Sequence, residues 1–209
     1  MMDTQRVLAS ALFKIGAIKF GAFRLKLHER NPNAPLSPIY IDLRVLRSYP
    51  KTMGIAAEAY AHIAQALKFD CYADVPTAAT PLTAVLAFMT GVPMISPRFE
   101  KKEHGTGSSI DGSFRQGQVA LLVDDLITRA ESKLEAIAVL ENNGVLVRDV
   151  IVLVDREQGG VRELNERGYG CWPVLQLGSM LTFYKNEGMI TDEQFTRTDN
   201  YLALTNKGV

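Results

Sequence analysis

Hydrophobic and polar residues follow two different periods along the chain. Apolar positions recur at helical spacing over residues 4–15, 50–67 and 82–90, and these segments are predicted to be helices. Short apolar runs predict strands at residues 18–27, 39–43, 69–73, 94–96, 119–123, 147–154 and 172–177. Further helices are predicted at 161–167, near 180–186, and after Thr191, which has Gln194 at capping-box spacing. Strands that alternate with helices in this way are typical of an α/β fold.

The stretch over residues 119–135 combines a buried strand with polar chemistry. Residues 119–123 form a continuous apolar run, which is typical of a strand buried on both faces of a parallel sheet. Asp124 and Asp125 follow at its carboxyl end. Burying an ionised carboxylate without a partner is costly, so this pair is predicted to face a cleft that holds hydroxyls, a cation or both. Open α/β sheets bind their ligands at this edge.

A helix is predicted to follow this acidic pair. Ser132 and Glu135 have capping-box spacing, which predicts a helix that begins at Ser132 and ends at Gly144. The hydroxyl-bearing loop over residues 128–132 then lies at a helix amino terminus, where unpaired N–H groups favour a phosphate. Carboxylates beside such a loop indicate a sugar phosphate as ligand. The simpler alternative, that the acidic pair only caps a turn, is disfavoured by the order of strand, acidic pair, threonine and helix.

Composition narrows the functional class. The 209 residues are enough for one domain with a full core, and the formal net charge is zero, which disfavours nucleic acid or an anionic membrane as partner. Cys71 and Cys171 lie far apart and outside any metal-ligand spacing, so both are expected to be buried free thiols in a reducing compartment. The uncharged stretch over residues 75–97 contains four prolines and is not expected to span a membrane. We expect a soluble cytoplasmic protein.

The motifs of this chain resemble those of the type I phosphoribosyltransferases, and in particular of the orotate phosphoribosyltransferases. The strings that carry the resemblance are VDDLIT at 123–128, SPIYIDLR at 37–44, EKKEHGTG at 100–107 and DREQGG at 155–160. The resemblance covers most of the chain. It implies the type I phosphoribosyltransferase fold, in which a central parallel sheet of about five strands is flanked by helices. It also implies a single domain over residues 1–209 with a small amino-terminal hood formed mainly by residues 16–45.

The resemblance also implies an activity and a set of site residues. The expected reaction transfers phosphoribosyl from phosphoribosyl pyrophosphate to orotate, with Mg²⁺ bridging pyrophosphate and ribose oxygens and no metal ligand supplied by the protein. Because the family shares a catalytic loop across subunits, a homodimer is implied. By this resemblance, Asp124 and Asp125 bind the ribose hydroxyls, and Thr128 and Ser132 bind the 5′-phosphate. Lys26 and Arg156 bind the base, and Arg98 contacts a phosphate. Lys102 and His104 bind the departing pyrophosphate, and Lys102 is also the proton donor.

Four departures from the family pattern fall on phosphate-facing loops. A longer loop replaces the Ser-Gly pair after Lys26, Asp74 replaces a glycine, Phe99 replaces a basic residue, and Arg129 with Glu131 replaces small glycine-rich residues. Two interpretations of Glu131 follow. It either points to solvent or pairs with Arg129, or it occupies the phosphate pocket and leaves a binding protein with impaired catalysis. Transfer to a base other than orotate is a third possibility. The matching site residues favour orotate transfer.

Overall fold

The structure is a computed structural model that describes residues 1–25, 27–99 and 109–206. Its main sheet has six strands in the order β5-β4-β3-β6-β7-β8, of which β5 is antiparallel to β4 and the others are parallel. The predicted central parallel sheet is therefore confirmed. The strands of this sheet are β3 (Cys71–Asp74), β4 (Met94–Pro97), β5 (Ile110–Asp111), β6 (Val119–Ile127), β7 (Leu146–Asp155) and β8 (Gly170–Gln176).

Helices cover both faces of this sheet. Successive residues of β6 point to opposite faces, so that Leu121 and Val123 enter one buried cluster and Leu122 enters the other. This confirms that the strand is buried on both sides. The helices are α1 (Asp3–Lys14), α2 (Leu27–Arg30), α3 (Pro50–Ala64), α4 (Thr80–Thr90), α5 (Glu131–Asn142), α6 (Gly160–Glu166), α7 (Leu177–Asn186) and α8 (Asp192–Asn206), with a 3₁₀ helix at Leu43–Ser48.

Within the segment predicted to form a hood, β1 (Ile18–Phe23) and β2 (Ser37–Ile41) form a separate two-stranded antiparallel sheet. The predicted strand over residues 18–27 is too long, because β1 ends at Phe23 and helix α2 begins at Leu27. His28, in the polar segment between β1 and β2, is 5% exposed, and its Nδ1 lies 2.8 Å from the Leu25 amide nitrogen. A local turn of the chain buries this histidine, and a polar sequence alone does not reveal such a turn.

The transition from β6 to α5 differs from its predicted boundaries. Pairing with β7 continues to Ile127, so the acidic pair lies within the strand and does not follow it. Helix α5 begins at Glu131 with Ala130 at the cap, and Ser132 is its second residue, so the predicted capping box is wrong. The ladder of hydrogen bonds to β7 determines where the strand ends. The predicted end of the helix is confirmed, because Gly144 has a φ of 80°.

Two further expectations concern the remaining helices and the cysteines. The capping box at the start of α8 is confirmed, since the Gln194 amide donates to Thr191 Oγ1 at 3.1 Å and the Thr191 amide donates to Gln194 Oε1 at 2.9 Å. Cys71 and Cys171 are both free and buried, as expected. Within the described residues, no helix is both long enough and apolar enough to cross a membrane.

Candidate active site

The ends of three neighbouring parallel strands form one polar edge of the sheet. Asp74 ends β3, the acidic pair lies near the end of β6, and Arg156 follows β7. Backbone hydrogen bonds hold these ends together, because the Arg156 amide donates to Ile127 O at 2.9 Å and the Val75 amide donates to Val123 O at 3.0 Å. The topology therefore brings the acidic pair, the loop after it and Arg156 to the same edge of the sheet.

Asp124 is almost fully enclosed by the protein. Its side chain is buried, its Oδ2 lies 2.5 Å from Lys133 Nζ, and its Oδ1 accepts the Asp125 amide at 2.9 Å. The Tyr60 hydroxyl, from α3, donates to the Asp124 main-chain oxygen at 2.5 Å. Burial raises the pKa of Asp124 and the charge of Lys133 opposes that rise. Both carboxylate oxygens are therefore engaged inside the protein.

Asp125 presents the more accessible carboxylate of the pair. Its side chain is partly exposed. Burial, and then the charge of Asp124, raise the pKa of Asp125 to about 7. The two adjacent acids thus have different surroundings and different accessibility to a ligand.

Lys133 was missed by the sequence analysis. A signal was present, because Lys133 precedes Ile137 and Leu140 by one and two helical turns and so belongs to the face of α5 that is buried. A lysine on an apolar helical face requires an anionic partner. The sequence does not show which acid it meets, since that depends on how α5 lies against β6.

The loop between β6 and α5 is open at its tip and anchored at its base. Thr128 and Ser132 are partly exposed, whereas Ala130 is buried and its amide donates to Glu163 Oε2 at 3.2 Å. Gly160 packs against this loop so closely that a Cβ there would lie 2.6 Å from the Ile127 side chain. The backbone at the base of the loop is therefore held by α6, and the two hydroxyls remain at the surface.

Arg129 and Glu131 both have exposed side chains. Glu131 is the first residue of α5, where a carboxylate interacts favourably with the helix dipole. Its exposure agrees with the interpretation in which Glu131 lies outside the phosphate pocket.

Arg156 is a buried cation without a carboxylate partner among the described residues. It is 3% exposed, its Nη2 lies 3.4 Å from Ser37 Oγ, and its buried Nε has no hydrogen-bond partner. Burial lowers the pKa of Arg156, and the neighbouring Tyr201 opposes that shift. A guanidinium in this state can form new hydrogen bonds to an anionic ligand, and carboxylates match its fork geometry.

Asp74 does not face the cleft in the way its position in a pyrophosphate loop suggested. The residue is fully buried, and its Oδ2 accepts a short hydrogen bond from the Thr80 hydroxyl at the start of α4. Its Oδ1 has no partner. The carboxylate that replaces the family glycine at this position therefore turns into the protein.

Arg98 lies away from the acidic pair. It forms a two-pronged ion pair with Asp111, with Nε donating to Oδ2 at 2.5 Å. Arg98 directly follows β4, which is two strands from β6, a spacing of about 10 Å. The adjacent Phe99 is exposed. The predicted site residues Lys26, Lys102 and His104 lie outside the described residues.

Comparison with known proteins identifies the family. No protein-family model matches the chain. An orotate phosphoribosyltransferase from Methanopyrus kandleri is 36% identical over 197 residues, which cover 94% of this chain and 99% of that protein. The bifunctional enzyme PyrF/PyrE of Nostoc sp. is 36% identical over 194 residues, which cover 93% of this chain. The chain spans only 38% of the length of that relative.

A solved structure gives the same result. The structure of Leishmania donovani UMP synthase matches with a TM-score of 0.85 and 34% identity, covering 96% of this chain and 42% of that one. The expected type I phosphoribosyltransferase fold is thus confirmed. From its sequence and fold together, the chain belongs to the orotate phosphoribosyltransferase family.

Proposed function

We propose that the chain transfers the phosphoribosyl group from phosphoribosyl pyrophosphate to orotate, giving orotidine 5′-monophosphate and pyrophosphate. The observation that carries this proposal is Arg156, a buried guanidinium with an unsatisfied Nε and no carboxylate partner among the described residues. It lies at the same sheet edge as the acidic pair and the hydroxyl-bearing loop. Orotate carries a carboxylate that suits such a cation.

In this proposal the ribose and its 5′-phosphate bind at the β6–α5 transition. Asp125 accepts hydrogen bonds from the ribose hydroxyls and steadies the positive charge that develops on the sugar as pyrophosphate leaves. Asp124 contributes a second negative charge from its buried position next to Asp125. Thr128 and Ser132 donate their hydroxyls to the 5′-phosphate at the amino terminus of α5, where the helix dipole favours an anion.

The remaining assignments come from the family resemblance. Lys26 binds the base together with Arg156. Arg98 contacts a phosphate, and to do so it has to break its ion pair with Asp111 or bind both groups at once. Lys102 and His104 meet the departing pyrophosphate, with Lys102 as the proton donor. Because the family supplies this loop across a subunit boundary, we also propose a homodimer. The free buried thiols of Cys71 and Cys171 support a reducing, cytoplasmic setting.

Mg²⁺ enters this proposal as part of the substrate. Among the described residues, no group of three or more His, Cys, Asp and Glu side chains could hold a metal ion. Asp124 is already paired with Lys133. Following the family resemblance, Mg²⁺ would come bound to phosphoribosyl pyrophosphate and would neutralise charge on the leaving group.

Calorimetric titration tests this function directly. Phosphoribosyl pyrophosphate with Mg²⁺ is titrated into the protein, followed by orotate in the same cell, and orotidine 5′-monophosphate is quantified afterwards. We expect binding in the first step and heat of turnover in the second. Uracil in place of orotate is the control for the base, and Lys102→Ala is expected to slow turnover. Absence of phosphoribosyl pyrophosphate binding in folded protein would contradict the proposal and favour a non-catalytic role.

A further inference from the structure

The ammonium group of Lys133 is completely enclosed next to the acidic pair. Lys133 is 3% exposed, and its Nζ lies 2.5 Å from Asp124 Oδ2, 2.5 Å from Leu126 O and 3.4 Å from Ser132 Oγ. An ammonium group has three donors, and three acceptors surround this one. A cation in the first turn of a helix also opposes the helix dipole. Only a strong anionic partner offsets burial at such a position, and Asp124 is that partner.

Lys133 also connects two parts of the proposed site. It belongs to α5, and it contacts a carboxylate and a carbonyl of β6. Through Ser132 Oγ it reaches a hydroxyl of the proposed phosphate loop. A displacement of Lys133 would therefore alter the orientation of Asp124 and the start of the helix together.

Other titratable and charged groups reach the acidic pair from the surrounding elements. Tyr60 contacts it from α3, and Cys171 on β8 interacts electrostatically with Asp124 and Lys133. Asp155, at the end of β7, interacts electrostatically with the same Cys171 thiol. The exposed Arg44 interacts electrostatically with Asp125. Within the described residues, the ion pair with Lys133 is the one that Asp124 forms.

We propose that Lys133 is a positioning residue for phosphoribosyl transfer, which fixes Asp124 as an anion inside the sheet edge and so leaves Asp125 as the carboxylate that meets the ribose hydroxyls. This inference rests on the proposed function. The geometry supports it in two ways. Both oxygens of Asp124 are occupied by protein groups, and Asp125 is the member of the pair that is partly exposed.

The charge of Lys133 has a measurable consequence. Two adjacent, largely buried carboxylates repel each other, and burial with the charge of Asp124 already raises the pKa of Asp125 to about 7. Lys133 lowers the pKa of both acids. Removing its charge must therefore raise both pKa values, so the pair retains a proton to higher pH. The proposed transfer uses both carboxylates in their ionised form. Loss of the Lys133 charge should therefore move the acidic limb of the kcat/KM–pH profile to higher pH by roughly one to three units.

The first experiment compares Lys133→Met with Lys133→Arg. The pH dependence of kcat/KM for phosphoribosyl pyrophosphate is measured between pH 5.5 and 9.5, roughly the range in which the pair is expected to titrate. Lys133→Met is expected to shift the acidic limb upward by at least about one unit, a loss of about fivefold at about pH 7 and about tenfold at lower pH, and Lys133→Arg is expected to restore the limb. A folded Lys133→Met protein whose limb is unchanged would overturn the proposal, even if its kcat were uniformly lower.

A second measurement uses the unmodified protein, because loss of one member of a buried ion pair can prevent folding. Carboxyl carbon signals of labelled aspartates are followed by NMR as a function of pH, with Asp125→Asn used to assign the pair. Asp125 is expected to titrate near pH 7, while Asp124 stays ionised throughout the neutral range. Titration of both signals together near neutrality would contradict the role of Lys133. This result does not depend on turnover, so failure of the proposed function and failure of this inference are distinguishable.

Discussion

Two buried cations lie beside adjacent strands at the same edge of the sheet, and they differ in their partners. Lys133 and Arg156 are each 3% exposed. Lys133 has a carboxylate at 2.5 Å and two further acceptors. Among the described residues, the Arg156 side chain has a long contact with Ser37 and a buried Nε without a partner. A buried cation that the protein itself satisfies serves the protein's own charge balance, whereas an unsatisfied one marks where an anionic ligand completes the structure.

This difference separates stability from function. Breaking a buried ion pair by removing one partner costs about 3–5 kcal/mol, because the other charge stays buried and uncompensated. Removing an unpaired buried cation instead relieves a desolvation penalty. Substitution of Lys133 should therefore lower the free energy of unfolding as well as shift the pH profile, whereas substitution of Arg156 should weaken ligand binding without lowering the free energy of unfolding.

The largest effect is expected for Arg156→Met. The loss of a charge-assisted contact of about 3 kcal/mol should weaken orotate binding by about 100-fold, while the free energy of unfolding should not fall. Calorimetry with orotate and urea unfolding measure the two quantities. The matched control is Arg162→Met on α6, an exposed arginine whose loss should change neither. Orotate affinity within about threefold of the original would mean that Arg156 is not the carboxylate site.

Asp125→Asn should reduce kcat/KM and stabilise the protein. Loss of a charged hydrogen-bond acceptor for ribose should lower kcat/KM by about 10-fold to 100-fold. The pKa of Asp125 in the folded protein, about 7, lies above the value of about 3.9 for an unfolded chain. Its ionisation therefore destabilises the fold progressively as pH rises from about 4 to about 7.

The stabilisation by Asp125→Asn should grow over this same pH window and then level off. Urea unfolding at pH 5 and pH 8 measures it, and we expect a gain of about 1–2 kcal/mol at pH 8 that is smaller at pH 5. Asp149→Asn on β7 is a useful control, because Asp149 is an aspartate outside the cleft that accepts a hydrogen bond from Trp172. A gain of equal size at both pH values would argue against the raised pKa of Asp125.

Thr80→Val extends the contrast to Asp74, a buried acid that forms no ion pair within the described part of the chain. Asp74 accepts the Thr80 hydroxyl, and its other carboxylate oxygen has no partner. Removing that hydroxyl should destabilise the fold by about 1–3 kcal/mol, because a buried acceptor loses its donor. Thr90→Val is the matched control, since its hydroxyl donates within its own helix to Leu86 O at 2.8 Å. If the two substitutions lower the free energy of unfolding in urea by the same amount, the hydrogen bond to Asp74 contributes no more to stability than the one within α4.

The smallest effect is expected for Glu131→Gln. Its side chain is exposed at the start of α5, where surface charges contribute at most about 1 kcal/mol. The affinity for phosphoribosyl pyrophosphate should therefore change by no more than about fivefold. A much larger gain in calorimetric affinity would revive the interpretation in which Glu131 occupies the phosphate pocket.

Sequence patterns predicted the elements that depend on local periodicity. The run over residues 119–123 indicated a strand buried on both faces, and β6 is such a strand. The capping box of Thr191 and Gln194 formed because both partners lie within one helical turn. The same spacing at Ser132 failed, because pairing of β6 with β7 continues to Ile127 and α5 begins at Glu131. Local signals hold where no tertiary contact competes with them.

The sequence by itself determined the α/β alternation, the acidic pair at the edge of a buried strand and the family to which the chain belongs. Only the tertiary structure decided how the charged groups are paired. It placed Lys133 against Asp124, turned Asp74 inward to Thr80 and left Arg156 unsatisfied beside Ser37. The energy of a buried charge depends on the nearest opposite charge and on access to water, and both are set by segments distant in sequence.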